Sequence, residues 1–313
     1  MEKNILLSIC IPTFNRSAIL KQNLQNLLSS SEFDDEVELV ISDNCSTDNT
    51  DKVVADIIRH FPEKRIVYNR NETNIKDKNF LKVMSLGSGF YLKLYNDYTL
   101  VSNDDLKIIK NNINRNLESK TQLFFYNDIR KSGINLYDII KVNCTDEYVK
   151  LLNNKITWIS NFGCWKEQLK YFYQYDTKSS LQLLQMMWTL FLVSNSNNIE
   201  IVNMNYKLLI NHDNSRFSYN FFEVHVNNYY SILDVYNKKG LIDKDTIYYD
   251  KKRVLADFIG GSILKYLLFR RKHFKNENSW RIILSHFGKM PYFYIFPLDK
   301  IRLIIWKRLK NFF

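Results

Sequence analysis

The chain has 313 residues, 45% of them apolar and 15% aromatic, with a formal net charge of +11. A chain this apolar is not disordered, and its 8 glycines and 4 prolines exclude a collagen-like repeat. The length suits one large domain or two of ordinary size.

The charge is unevenly placed. Residues 251–313 hold 15 Lys/Arg against three acids, Asp257, Glu277 and Asp299, a net of 15 − 3 = +12. The first 250 residues then carry 29 basic and 30 acidic side chains, a net of −1. Such asymmetry points to an anionic partner, membrane or nucleic acid, for the C-terminal fifth. The cysteines, Cys10, Cys45, Cys144 and Cys164, are scattered with no C-x-x-C pair. They read as reduced thiols of a cytosolic protein. The apolar run from Ile5 to Ile11 is too short for the core of a secretory signal. The longest apolar run, Leu181 to Val193, is interrupted by Gln182 and Gln185 and suits a buried helix rather than a membrane span.

In chain order, Leu6 to Ile11 predicts a buried strand closed by Pro12. Ile19, Leu20, Leu24, Leu27 and Leu28 recur at helical spacing behind Ser17, a suitable N-cap. Glu36 to Ser42 predicts a second strand, and Asp43 to Asp51 a polar turn in which Asp48 or Thr50 caps the helix over Val53 to Arg59. Ile66 to Tyr68 is a third strand, Lys78 to Met84 a third helix and Phe90 to Leu94 a fourth strand. Strands separated by helices of this length pair in parallel through right-handed crossovers, which gives an open, mostly parallel α/β sheet. Further on, Leu123 to Tyr126 and Ile199 to Met204 predict strands. Leu181 to Val193 predicts a buried helix, and Asn220 to Tyr236 an aromatic-rich helix. The expected organisation is one continuous domain over 1–236, with a basic helical region over 237–313.

In sheets of this kind, ligands bind beyond the carboxyl ends of the strands. Three polar stretches fall there. Ile11-Pro12-Thr13-Phe14-Asn15-Arg16 offers backbone N–H groups and a guanidinium to a phosphate. Asp43, in Val40-Ile41-Ser42-Asp43-Asn44-Cys45-Ser46-Thr47-Asp48-Asn49-Thr50, is placed to accept a hydrogen bond from a base N–H or a ribose hydroxyl. Leu94-Tyr95-Asn96-Asp97-Tyr98 delivers another carboxylate, a hard oxygen ligand of the kind that suits Mg²⁺ or Mn²⁺. Asp104 and Asp105 fit caps for the helix that follows.

These stretches, in this order and about thirty and then about fifty residues apart, resemble the family 2 glycosyltransferases of the GT-A (Rossmann-like) fold. The resemblance is good over 5–105, the nucleotide-binding half. It is looser over 106–236, the acceptor half, through Ser160-Asn161-Phe162-Gly163 and Tyr219-Asn220-Phe221-Phe222-Glu223-Val224. The last stretch, preceded by Asn211-His212-Asp213-Asn214, looks like the subset that builds capsular or O-antigen polysaccharides. The resemblance implies transfer of a sugar, with inversion, from a nucleoside diphosphate to a glycan acceptor, lipid-linked in many such enzymes. It implies a nucleotide-sugar site of Pro12, Thr13, Asn15, Arg16, Asp43, Asn44, Ser46, Asn96 and Asp97. Acceptor or diphosphate contacts are implied at Gly163, His212 and Asp213.

At the family's Asp-x-Asp position relatives usually carry two or three acids, whereas this chain has Asn96-Asp97-Tyr98 and a single carboxylate. Three readings stay open: a divalent cation, Mg²⁺ or Mn²⁺, held at Asp97; basic groups in its place; or a catalytically degenerate nucleotide-binding scaffold. An inverting transferase also needs a general base, for which Asp176 comes first, then Glu167 and Glu223. The basic C-terminus, with Tyr292 to Phe296 ahead of a helix in which Ile301, Ile305, Leu309 and Phe312 share a side, fits an anionic membrane surface. The expected location is the cytoplasm, at the inner face of the cell membrane. No recognition motif supports nucleic-acid binding.

Overall fold

The computed structural model describes residues 4–129, 133–174, 182–209, 220–261, 263 and 278–298. They form two compact units, one of residues 1–144 with 155–212, the other of residues 145–154 with 213–313. The division therefore falls at 212 rather than 236, and a segment from the middle of the chain groups with the C-terminal unit. The reason is packing. Helix α5 (Thr145–Leu152) lies against α8 (Lys244–Arg253), and Asp146 accepts a hydrogen bond from the Asp243 N–H just ahead of α8, at 2.9 Å.

The first unit is built on a five-stranded sheet of β1 (Leu7–Thr13), β2 (Val37–Asp43), β3 (Ile66–Arg70), β4 (Tyr91–Leu94) and β8 (Gly163–Trp165). Its order is β3-β2-β1-β4-β8. All pairs are parallel except β4 with β8. Every residue of β1 and β2 is buried, as expected of strands covered on both faces. The helices α1 (Ser17–Leu28), α2 (Thr50–His60) and α3 (Lys78–Ser85) cross between the parallel strands. The core gathers Leu20, Leu24, Leu27 and Leu28 of α1 with Ile9, Ile11, Leu39 and Ile41 of the sheet.

A three-stranded sheet, β6 (Gln122–Asn127), β9 (Ile199–Met204) and β7 (Ile139–Val142), and a two-stranded ribbon, β5 (Thr99–Leu100) with β10 (Lys207–Leu208), complete the strands. Helix α4 (Asn103–Arg115) starts at a Ser102–Asp105 capping box, the role expected of an acid here. Helix α6 (Leu184–Ser194) is buried over most of its length.

The second unit is helical where described. A π-helical turn, Glu223–Asn228, leads into α7 (Tyr229–Lys238), and another, Val254–Ile259, follows α8; α9 spans Ser279–Phe287. At its centre Asp250 is buried and accepts hydrogen bonds from the Tyr229 and Tyr230 hydroxyls at 3.0 and 3.1 Å. Burial pushes its carboxyl up to about 7. Among the described residues no helix is long and apolar enough to cross a membrane.

Candidate active site

The carboxyl ends of β1, β2 and β4 bring the three sequence stretches together. β1 stops at Thr13 because Asn15 turns the chain with a φ of 52°, a left-handed conformation that asparagine tolerates. The Asn15 N–H donates to Ser46 Oγ at 2.8 Å, and its Oδ1 accepts from the Thr47 N–H at 2.7 Å. The loops after β1 and β2 are thus stitched to each other. Arg16, not Ser17, occupies the cap position of α1, and no side chain of its own caps it. The cap comes from the neighbouring loop: Asp48 Oδ2 accepts from the Ser17 N–H at 2.9 Å. Its Oδ1 takes the Thr50 N–H and hydroxyl at the start of α2. Burial alone would raise the Asp48 pKa; the hydrogen bonds from Thr50 and Ser17 outweigh it and hold it below the usual carboxylate range.

Asp43 is buried and uses both carboxylate oxygens inside the protein. Oδ1 accepts from the Ser46 N–H at 2.9 Å. Oδ2 accepts from the Tyr68 hydroxyl at 3.1 Å and lies 3.5 Å from Arg70 Nε. Arg70 also donates to the Ser46 carbonyl at 2.8 Å. Where a base or ribose contact is expected, the geometry gives Asp43 the task of holding the loop in which Cys45 has a φ of 65°.

Behind that loop lies an asparagine network that the sequence reading missed. Asn44 Oδ1 accepts from the Ile75 N–H at 2.8 Å, and its Nδ2 donates to Asn74 Oδ1 at 2.9 Å. Asn71 and Ser42 both donate to Asn79 Oδ1, at 2.9 and 2.6 Å. Asp77, at the start of α3, has its carboxyl pushed up to about 6 by burial. The signal was present as a run of asparagines between a predicted strand and a predicted helix.

Asp97 is the focal carboxylate. Its Oδ2 accepts from Thr13 Oγ1 at 2.9 Å, and its Oδ1 lies 3.4 Å from Arg16 Nη1. The Asn23 amide fixes its backbone carbonyl at 3.0 Å. Burial pushes its pKa up to about 6, against the pull of Arg16 and Thr13. The Arg16 guanidinium stands 5.4 Å over the Tyr98 ring. The Asn96 N–H donates to Ser160 Oγ at 2.9 Å, and Ser160 Oγ also bonds Thr99 Oγ1. Lys93, buried in β4, donates to the carbonyls of Ser160 and Phe162, and burial drives its pKa well down. The Asn96 Nδ2 is buried with no hydrogen-bond partner among the described residues.

Thr13, Asn15, Arg16, Asn44, Ser46, Asn96 and Asp97 therefore sit on linked loops. Pro12 is buried in β1, paired with Ser42. Gly163 needs correcting as an expected ligand contact. It is buried in β8 opposite Lys93, where a Cβ would lie 2.6 Å from the Tyr91 ring, so this glycine serves close packing. Glu167 is exposed and lies 3.9 Å from Lys120, beside β8 Trp165, which pairs with the first residue of β4; it is at the wrong end of the sheet for a base acting at Asp97. Glu223 lies in the second unit and accepts from Asn227 at 2.7 Å. Asp176, His212 and Asp213 lie outside the described residues, as does the helix expected beyond residue 298.

No group of three or more His, Cys, Asp or Glu among the described residues is arranged to hold a metal ion. One oxygen of Asp97 accepts from Thr13 and the other faces a guanidinium. Asp97 is the carboxylate of this cluster that would hold a divalent cation shared with the phosphates of a nucleotide.

A mostly parallel sheet, with its polar loops at the carboxyl ends of β1, β2 and β4, defines a GT-A fold. Solved structures agree. S. aureus TarS 1-349 in complex with UDP-GlcNAc superposes with a TM-score of 0.56 at 16% identity, over 90% of this chain and 82% of that one. The same protein in complex with UDP gives 0.55 at 16%, over 91% and 76%. At such identity the likeness is one of fold. Residues 8–132 match the model of Glycosyl transferase family 2. The abequosyltransferase RfbV of Salmonella typhimurium (strain LT2) is 31% identical over 157 residues, 49% of this chain and 45% of that protein. The chain thus aligns with less than half the length of this curated relative.

Proposed function

We propose that the protein transfers a sugar from a nucleoside diphosphate donor to a glycan acceptor in surface polysaccharide synthesis, with inversion. The observation that carries this reading is the cluster of Thr13, Arg16 and Asp97, next in sequence to an Asn96 amide that has no partner among the described residues, at the carboxyl ends of β1 and β4. The Arg16 guanidinium and the Asn96 N–H₂ are donors suited to a leaving diphosphate, where charge develops as the glycosidic bond breaks. Asp97 holds Arg16 and Thr13 in place for that task. Arg16 supplies positive charge to the diphosphate, alone or beside a cation that the nucleotide brings. A carboxylate takes the acceptor proton, and Asp176 and Glu223 are the candidates. The abequosyltransferase named among the relatives supports the reaction class, transfer of a sugar, and the UDP-GlcNAc complex of the structural relative supports the donor class.

The test is calorimetric titration of the full chain with UDP, GDP, CDP and dTDP, followed by turnover with the matching sugar donors. Binding of one nucleotide that weakens at least tenfold in Arg16→Ala is expected. No binding of any nucleotide at millimolar concentration overturns the reading. A second reading, a degenerate nucleotide-binding scaffold, is motivated by the single carboxylate at Asn96-Asp97-Tyr98; donor turnover that disappears in Asp97→Ala eliminates it.

The basic C-terminal region is proposed to dock on an anionic membrane, which places the enzyme at the inner face of the cell membrane near a lipid-linked acceptor. Co-sedimentation with anionic liposomes, equal for the full chain and for a truncation at 290, would refute a role for the last segment.

A further inference from the structure

The first unit has a concave site at the opposite end of its strands from Asp97. Gln122 opens β6, and the Trp165 indole N–H bonds the carbonyl of Thr121 beside it at 2.9 Å. Trp165 pairs with Tyr91, the first residue of β4, whereas Asp97 lies beyond the last. Here a cavity of about 430 Å³ is lined by Lys120, Gln122, Glu167, Lys170, Tyr171 and Phe191, among others, a size typical of small-molecule sites.

Its chemistry is specific. Gln122 is only 3% exposed; its Oε1 accepts from Gln168 at 2.9 Å. Its Nε2 is buried and has no partner among the described residues. Such a buried donor is rare in folded proteins and calls for an acceptor. The Lys120 ammonium stands 4.4 Å over the Trp165 ring, and the Lys170 ammonium 5.1 Å over the Tyr171 ring. Tyr171 is 44% exposed, with the Phe191 ring 5.6 Å away. Two ammonium groups and an amide donor thus share a cavity with aromatic surface and the exposed carboxylate of Glu167.

An apolar ligand would leave the Gln122 amide unpaired, and a bare anion would leave the aromatic wall unused. A pyranose ring with an acidic substituent uses all of them. Its C–H face packs on aromatic surface, its hydroxyls pair with the amide and with Glu167, and its carboxylate meets the lysines.

We propose that this cavity binds an acidic sugar, a uronic acid residue of a glycan, at a site separate from the Asp97 cluster. Neither Arg16 nor Asp97 takes part, so the site stands or falls independently of the proposed transfer reaction.

The test uses the full chain with D-glucuronate, D-glucose and acetate as probes, read by saturation-transfer NMR and titration. Saturable glucuronate binding is expected, at least tenfold tighter than that of glucose or acetate and not displaced by UDP. Lys170→Ala, at an exposed position with parent-like circular dichroism, should weaken it at least fivefold. Absence of saturable glucuronate binding, equal binding of acetate, displacement by UDP, or an unchanged affinity in Lys170→Ala would each overturn the proposal.

Discussion

Two buried carboxylates stand at opposite ends of the same sheet, and their surroundings differ in a telling way. Glu38, near the start of β2, is surrounded by donors. Ser8 Oγ gives one hydrogen bond at 2.6 Å, Ser88 gives two through its N–H and hydroxyl, and Arg65 Nε stands 3.1 Å away. Burial would raise its pKa, yet these partners outweigh it and leave it lowered. Asp97, at the carboxyl end, has one hydroxyl and one longer guanidinium contact on its oxygens, and burial wins, to about 6. The fully served acid fastens the strands to the 87–89 turn. The under-served acid faces a half-exposed arginine and is next in sequence to an amide with no partner among the described residues, which is the condition of a group arranged for a ligand.

This contrast can be broken by exchange of effects. The largest effect is expected for Asp97→Ala, which should cut sugar-transfer turnover by about a hundredfold or more while the far-UV circular dichroism stays that of the parent. A comparable loss of turnover in Glu38→Ala at full folding would erase the distinction. Glu38→Ala should instead destabilise the protein by about 3 kcal/mol in urea melts, because Ser8, Ser88 and Arg65 lose their acceptor in a buried place.

A pH series sharpens the same point. The Asp97 pKa is raised by folding, so its contribution is fully present below the unfolded value near 4 and is lost as pH rises through about 6. Between those limits the parent should lose on the order of 2 kcal/mol of stability relative to Asp97→Asn, measured by urea midpoints in parallel. A constant difference between the two proteins over pH 4 to 6 would contradict the assignment.

The smallest effect belongs to Asp48, an exposed acid that caps two helix starts. Asp48→Ala should cost about 1 kcal/mol, seen as a lowered melting temperature.

Legibility in the sequence followed the range of the interactions. The first four strands and three helices could be read from periodicity because their apolar spacing is local. The three loops could be found because parallel sheets place ligands at strand ends. What escaped depends on partners far along the chain. The Ser17 cap is Asp48, thirty-one positions away, and the Asn44 amide is satisfied by Asn74 and Ile75. Lys93 lies within the fourth predicted strand, and the Ser160 and Phe162 carbonyls that receive its ammonium are more than sixty positions away. Gly163 reads as a ligand contact until the Tyr91 ring is found against it. The grouping of 145–154 with the C-terminal unit carries no local signature at all.

The stitching of the loops after β1 and β2 has a kinetic consequence. Asn15, Ser17, Ser46, Thr47 and Thr50 have their N–H groups bound to side chains of these two loops or to Asp43, so neither loop can leave its place without freeing the other. Their amides should exchange with solvent as one cooperative unit, with a common opening free energy. The left-handed turns at Asn15 and Cys45 are then set during folding, before any ligand arrives, and little ordering entropy is left to be lost when one does.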